Sequence, residues 1–359
     1  MESKIELKKL IYISDYNIIK TPGSFKDYHS RVYGSGYCPI DRFNLLQYID
    51  PQPAELQFKN ILPEPVFNLN NLTADWRDRF FEIADQVADK IYKHAGDRTI
   101  VVMWSGGFDS TTALVSLMRH ASFQEFVDRG QFKVGMSSSS IEEYPKMFYE
   151  YILPQIPFVI ADHDKLMRDP TVFMVTGDGG DYLIGNTDTP IFEYNRTTNN
   201  LMASTDELWK YLNYLEPTKK FTHYVRELCK YAPFEIKSVN QAYWWVGQCF
   251  TNQAEICQAY LWSTVSDLTQ LPSFDKIYRF FLDDLWNTFS FEHMSTNPVY
   301  TNFDSVRNFA KDYIINFTGH EDYRNKRKLY SNRYLMRFSY KTMIFEDLTW
   351  SRSGKKVIS

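Results

Sequence analysis

Apolar residues Trp76, Phe80, Ile83, Ala84, Val87, Ile91 and Tyr92 recur at helical spacing with charged residues between them. This predicts a helix opening near Thr73, which is placed as its N-cap. A run of short apolar segments follows. TIVVMW (99–104), FKVGM (132–136), PFVIAD (157–162) and TVFMVT (171–176) read as strands, with helices in TTALVSLMRH and EEYPKMFYEYI and a Ser-rich loop after the second strand. Strands alternating with helices at this spacing indicate βαβ units and a parallel sheet. Before residue 72, short apolar runs broken by Pro22-Gly23, Pro51-Gln52-Pro53 and Pro63-Glu64-Pro65 read as short strands and loops. Beyond about Asn200 the strand pattern fades, and ELWKYLNYLE, YVRELCKY, QAYWWVGQCF, FDKIYRFFLDDLWNTF and FDSVRNFAKDYIINF all carry helical periodicity. The expected organisation is an N-terminal elaboration (1–72), an α/β domain (73–200) and a mainly helical C-terminal region with a basic tail (201–359).

The chain has 359 residues, 44% hydrophobic and 23% charged, within the range of globular proteins. Aromatic residues reach 17%, which implies large buried side chains or stacking surfaces. No apolar run is long enough to span a bilayer, and the charged start MESKIELKK does not resemble a secretory signal. A soluble, cytoplasmic protein without membrane contact is expected. Cys38, Cys229, Cys249 and Cys257 form no CxxC pair, which argues against a zinc ribbon, a redox dithiol or a disulfide framework.

Chemistry is concentrated in two turns. Ser105-Gly106-Gly107-Phe108-Asp109-Ser110 lies between a strand and a helix. Glycines there let backbone N–H groups approach an anion, and the helix start offers unpaired donors and a partial positive charge to phosphate. Ser105, Ser110 and Thr111 add hydroxyls. The sequence contains no GxxxxGK[ST] loop and no dinucleotide fingerprint, so kinase-type P-loops and hydride transfer fall away. Asp109 either caps the helix or, beside phosphate oxygens, needs a cation between, for which Mg²⁺ is the simplest choice. Thr176-Gly177-Asp178-Gly179-Gly180-Asp181 ends another apolar strand and would open toward the same sheet edge. Its carboxylates would add a second metal contact and a base.

SGGFDS resembles the SGGxDS pyrophosphate loop of the ATP pyrophosphatase (PP-loop) superfamily. TGDGGDYLIG is similar to the S-G-E-G-x-D-E-x-x-x-G segment of its asparagine synthetase and β-lactam synthetase branch. The resemblance covers about residues 73–190 and implies an adenine-nucleotide alpha-hydrolase-like fold. It also implies an AMP- and pyrophosphate-forming amide ligase: ATP adenylates a substrate carboxylate, small molecule or peptide, and ammonia or an amine displaces AMP. Carried over by position, Ser105, Gly106, Gly107, Asp109 and Ser110 hold pyrophosphate and metal, with Gly177 beside them. Asp181 is the second metal ligand. Asp178 stands where the family has a glutamate, with a shorter reach. Met136 and Ser137 would meet adenine through backbone groups, flanked by Val102, Met103 and Trp104.

Glutamine-using members of that branch carry a catalytic cysteine after the initiator Met and a glutaminase domain. This chain begins Met1-Glu2-Ser3 with about 72 residues before the ATP module. The expected amine is therefore free ammonia, a partner's product or an amino group on the substrate. From Arg324 to Ser359, ten Lys/Arg face only Glu346 and Asp347, so this segment is +8, and a chain total of −4 leaves −12 elsewhere. The family uses a C-terminal lysine on pyrophosphate, and Lys326, Arg327 and Lys328 are the candidates. Alternatives are a PP-loop enzyme adenylating a tRNA base, disfavoured by the acidic body, and a non-catalytic ATP-binding module. A homo-oligomer is compatible with the sequence. His163 between Asp162 and Asp164, and the pair Asp283-Asp284, read as solvated faces, and Tyr243, Trp244 and Trp245 as core.

Overall fold

The computed structural model describes residues 75–180, 183, 194, 198, 200–214, 226, 229, 232–245, 276–299 and 307–326. Helix α1 (Trp76–Ala95) buries Phe80, Ile83, Ala84, Val87, Ala88, Ile91 and Tyr92 along one stripe. Its N-cap is Asp75 and not the predicted Thr73. The Asp75 carboxylate accepts from Arg77 N at 2.8 Å and Asp78 N at 3.3 Å, satisfying two donors that the helix cannot.

Strand β1 (Thr99–Met103) leads into α2 (Phe108–Arg119), then α3 (Phe123–Asp128) and β2 (Phe132–Met136). The stretch after β2, read as a Ser-rich loop, is instead helix α4 (Ser138–Glu143). Serine is a weak helix former but a strong cap, and a reciprocal capping box between Ser137 and Ser140 opens this helix. Pro145 then divides the predicted 142–152 helix. The chain breaks at Tyr144, resumes as a turn over Pro145–Met147 and widens to a π-helix at Phe148–Ile152. Next come β3 (Phe158–Ile160), α5 (His163–Arg168) and β4 (Val172–Thr176).

These strands form a parallel sheet ordered β3-β2-β1-β4-β5. The fifth strand, β5 (Ile277–Arg279), was not anticipated. It lies in a segment read as helix, and pairs Met174 with Ile277 and Thr176 with Arg279. Helices α6 (Thr205–Tyr214), α7 (Asp284–Ser295) and α8 (Asn308–Thr318) follow the helical expectation. Asp283 is not on a wet face. Its carboxylate caps α7 through Leu285 N at 2.9 Å and takes Lys90 Nζ at 2.8 Å and the Tyr278 hydroxyl.

Both faces of the sheet are covered. Ile100, Val102, Phe132, Val134, Phe173 and Val175 face the main core with α1, α2, α7 and α8. Val101, Met103, Val172 and Met174 face a smaller cluster with Met167 of α5. A parallel sheet buried on both faces in this way is the α/β architecture. Trp244 and Trp245 are buried, as expected, with Trp244 Nε1 donating to Ser290 Oγ at 2.7 Å. No described helix is long and apolar enough to cross a membrane.

Candidate nucleotide site

In this strand order β1 is the central strand from which connections leave in both directions, with β2 on one side and β4 on the other. Open parallel sheets bind ligands beyond the carboxyl ends of the strands at such a switch point. Met103 is in register with Thr176, so the two glycine-rich turns emerge side by side.

The first turn is braced by its own hydroxyls. Gly107 N–H donates to Ser105 Oγ at 3.4 Å and Ser105 N–H to Ser110 Oγ at 3.0 Å. The two hydroxyls lie 3.0 Å apart, and Ser110 donates to the Gly107 carbonyl at 3.3 Å. Ser105 and Ser110 therefore shape the loop. The first-turn N–H groups of α2, whose N-cap Gly107 makes no side-chain cap bond, have no acceptor within the helix. Gly106 has φ +76°, and a Cβ there would stand 2.6 Å from Glu143 Cβ and 2.7 Å from the Ser140 carbonyl. Only glycine fits, so the loop is pressed against α4.

The second turn closes from the other side. A Cβ on Gly177 would come within 2.5 Å of Ser110 Cα, and one on Gly180 within 2.1 Å of Asp109 Oδ1. The half-buried Asp109 carboxylate, in the first turn of α2, thus lies against the backbone of the Asp/Gly turn. Asp178 is also half-buried, while Asp181 lies outside the described residues. Among the described residues no group of three or more His, Cys, Asp or Glu is placed to hold a metal ion. Asp109 brings a carboxylate to the N-terminal turn of α2, and carboxylate beside helix-start N–H groups is a donor set that would suit a magnesium–phosphate complex better than a bare cation.

At the end of β2, the Met136 carbonyl accepts from Ala161 N at 3.0 Å and Ser137 N–H donates to Ser140 Oγ at 3.2 Å. Those backbone groups are engaged internally, and the buried Met136 side chain packs in the core. Trp104 is likewise buried, its indole donating to Thr111 Oγ1 at 3.0 Å. Ser137 and Ser138 are exposed here, with the Ser137 hydroxyl 2.8 Å from Ser139 Oγ.

The C-terminal lysine reaches this edge. Lys326 Nζ lies 3.7 Å from Glu143 Oε1, the residue packed on Gly106, and 4.5 Å above the Tyr144 ring. Burial lowers its pKa to about 8, with Glu143 opposing the shift. Arg327 and Lys328 lie outside the described residues. Asp162 caps α5 through Lys165 N at 3.2 Å, as a structural carboxylate does.

Sequence reasoning missed Glu143, Tyr144 and Tyr323. Tyr323 stacks on Tyr144 at 4.4 Å between centroids, and burial raises its pKa well above the ordinary value while a bond to Thr111 opposes that. The break at Tyr144-Pro145 was the available signal. No family model, curated protein or solved structure matches this chain.

Proposed function

We propose that the chain is an ATP-dependent, AMP- and pyrophosphate-forming ligase of the PP-loop kind, with an adenine-nucleotide alpha-hydrolase-like core. It adenylates a carboxylate for attack by ammonia or an amine. One observation carries the reading: SGGFDS opens α2 at the tip of the central strand while TGDGGD, from the neighbouring strand tip, presses Gly177 and Gly180 onto Ser110 and Asp109.

On this reading the first-turn N–H groups of α2 take the pyrophosphate moiety, and the helix end favours its charge. Asp109 and Asp181 hold Mg²⁺, which neutralises phosphate charge when bound. Lys326 adds a cation on the α4 side, where partial desolvation strengthens its pull on a departing anion. Asp178 is the candidate to accept the amine's proton.

The test is product analysis with ATP, Mg²⁺ and pooled carboxylic acids plus ammonia. AMP with pyrophosphate supports ligation, ADP with phosphate refutes it, and tight ATP binding without turnover favours a non-catalytic module. Stimulation of pyrophosphate release by tRNA and not by small acids would favour base modification. Asp109→Asn should reduce pyrophosphate release by at least about a hundredfold, the scale for removing a transition-state charge contact, with an unchanged thermal midpoint.

A further inference from the structure

Helix α8 ends at Gly319 in the left-handed region (φ 70°), and the next residues fold back along α4 and the π-helix. Lys311, Lys146 and His320 help to hold this return. Lys311 Nζ donates to the Arg324 carbonyl at 2.7 Å, Lys146 pairs with Asp322 at 2.8 Å on the surface, and His320 is buried at the centre. His320 Nδ1 lies 2.8 Å from the Tyr144 hydroxyl and Nε2 lies 2.9 Å from Glu150 Oε2.

The chemistry of the partners fixes the roles. Glu150 offers an acceptor, so Nε2 carries the hydrogen, and Nδ1 accepts from Tyr144. Burial keeps the Tyr144 phenol protonated, and hence a donor, by raising its pKa above the ordinary value. The imidazole therefore orients the ring that lies 4.5 Å beneath Lys326 Nζ. That ring and the stacked Tyr323 form an aromatic floor, with Glu143 the acidic wall. A π-helix such as the one carrying Glu150 is rare and is often found at functional sites.

We propose that His320 is a positioning residue: held between Tyr144 and Glu150, it fixes the tyrosine floor and so sets the Lys326 ammonium beside the glycine loop, where it receives the anionic leaving group. The last clause rests on the ligase reading above; the positioning itself does not. Lys326 is faced by Glu143, Asp322, Tyr144 and Tyr323, and His320 by Glu150, Tyr144, Tyr151 and Asp322. None of these belongs to either glycine-rich turn.

The experiment reads Lys326 directly in the full-length chain. Acetylation by acetic anhydride is followed by peptide mass spectrometry across pH 6–11, with and without inorganic pyrophosphate and Mg²⁺. In the wild type, the labelling midpoint of Lys326 should fall near 8, well below the ordinary 10.5. His320→Ala should move it upward, as a loosened floor lets water reach the ammonium. His320→Asn keeps an acceptor for Tyr144 and should recover much of the wild-type midpoint. Tyr144→Phe, which removes only the hydroxyl that His320 holds, guards against a misfolded alanine variant and should shift the midpoint in the same direction. A role confined to packing would lower thermal stability and leave the Lys326 midpoint where it was; unchanged midpoints in folded His320→Ala and Tyr144→Phe overturn the proposal. Pyrophosphate should protect wild-type Lys326, with affinity falling about tenfold in His320→Ala, the scale of one desolvated cation–ring contact. Shifted midpoints without protection in the wild type would keep the positioning role and reject the anion role, and with it the ligase reading.

Discussion

Replacing Gly177 by alanine probes how closely the tips of β1 and β4 are joined. The added methyl would sit 2.5 Å from Ser110 Cα, 2.6 Å from Ser110 N and 2.7 Å from Asp109 C. Carbon contacts settle near about 3.5–4.0 Å, so β4 and the start of α2 must part by about 1 Å. All three obstructing atoms are backbone, and no rotamer change relieves them. Overpacking costs about 1–3 kcal/mol, and an obstruction of this kind belongs at the upper end. At roughly 2–4 °C per kcal/mol for a domain of 150–250 residues, the melting midpoint should fall by about 6–12 °C. Gly135→Ala is the control. Its methyl would meet Met103 Sδ at 2.8 Å, but a thioether can swing away, so the cost should stay below about 1 kcal/mol. Thermal melts and urea titrations of both variants decide the matter. If Gly177→Ala melts with the wild type, or the two variants lose equal stability, the two turns are not in the contact described.

Two further tests concern the core behind the site. Arg79 pairs with the fully buried Glu292, so Arg79→Ala should cost about 3–5 kcal/mol in urea titrations by removing the cation paired with a buried carboxylate. Arg79→Leu combined with Glu292→Leu should recover most of that loss. His293, stacked on Phe289 and edge-on to Trp76, is held neutral because burial lowers its pKa from 6.5 to about 3. The unfolded chain takes up this proton near pH 6.5 and the folded chain only near 3, so its contribution is complete above 6.5 and is lost as pH falls through that window. At pH 5 the loss amounts to about 2 kcal/mol, and His293→Phe should flatten the acid limb of urea midpoints by that amount. An equally steep limb in the variant would show that the imidazole is already solvated.

Much of this architecture was legible because it is local. Val101, Val102 and Met174 announce buried strands by being apolar in short runs, and the α1 stripe repeats every three to four residues. The two glycine-rich turns were legible for the same reason, since each packs its donors and acids into six consecutive residues. β5 was not, because Ile277, Tyr278 and Arg279 carry no alternation, and only pairing with β4 makes them a strand. Serine's low helix propensity hid α4, where the capping box and the fit of Gly106 against Ser140 and Glu143 prevail. Asp283 looked solvated because nothing in its neighbourhood of the chain names Lys90 as a partner. The contact of Lys326 with Glu143 joins residues whose proximity depends on the whole domain.

The late arrival of β5 has a consequence during synthesis. Residues Thr99–Thr176 can assemble four strands once they leave the ribosome, but Phe281 and Leu282, against which Gly179 and Gly180 rest, are translated roughly a hundred residues later. At about 5–20 residues per second that is a delay of roughly 5–20 s. Throughout it the outer edge of β4 stands as an open row of amides and carbonyls, the kind of edge to which another nascent chain can add. Slower translation across residues 180–276 would therefore lengthen the period of greatest aggregation risk, and a chain ending before Ile277 would keep that edge exposed permanently.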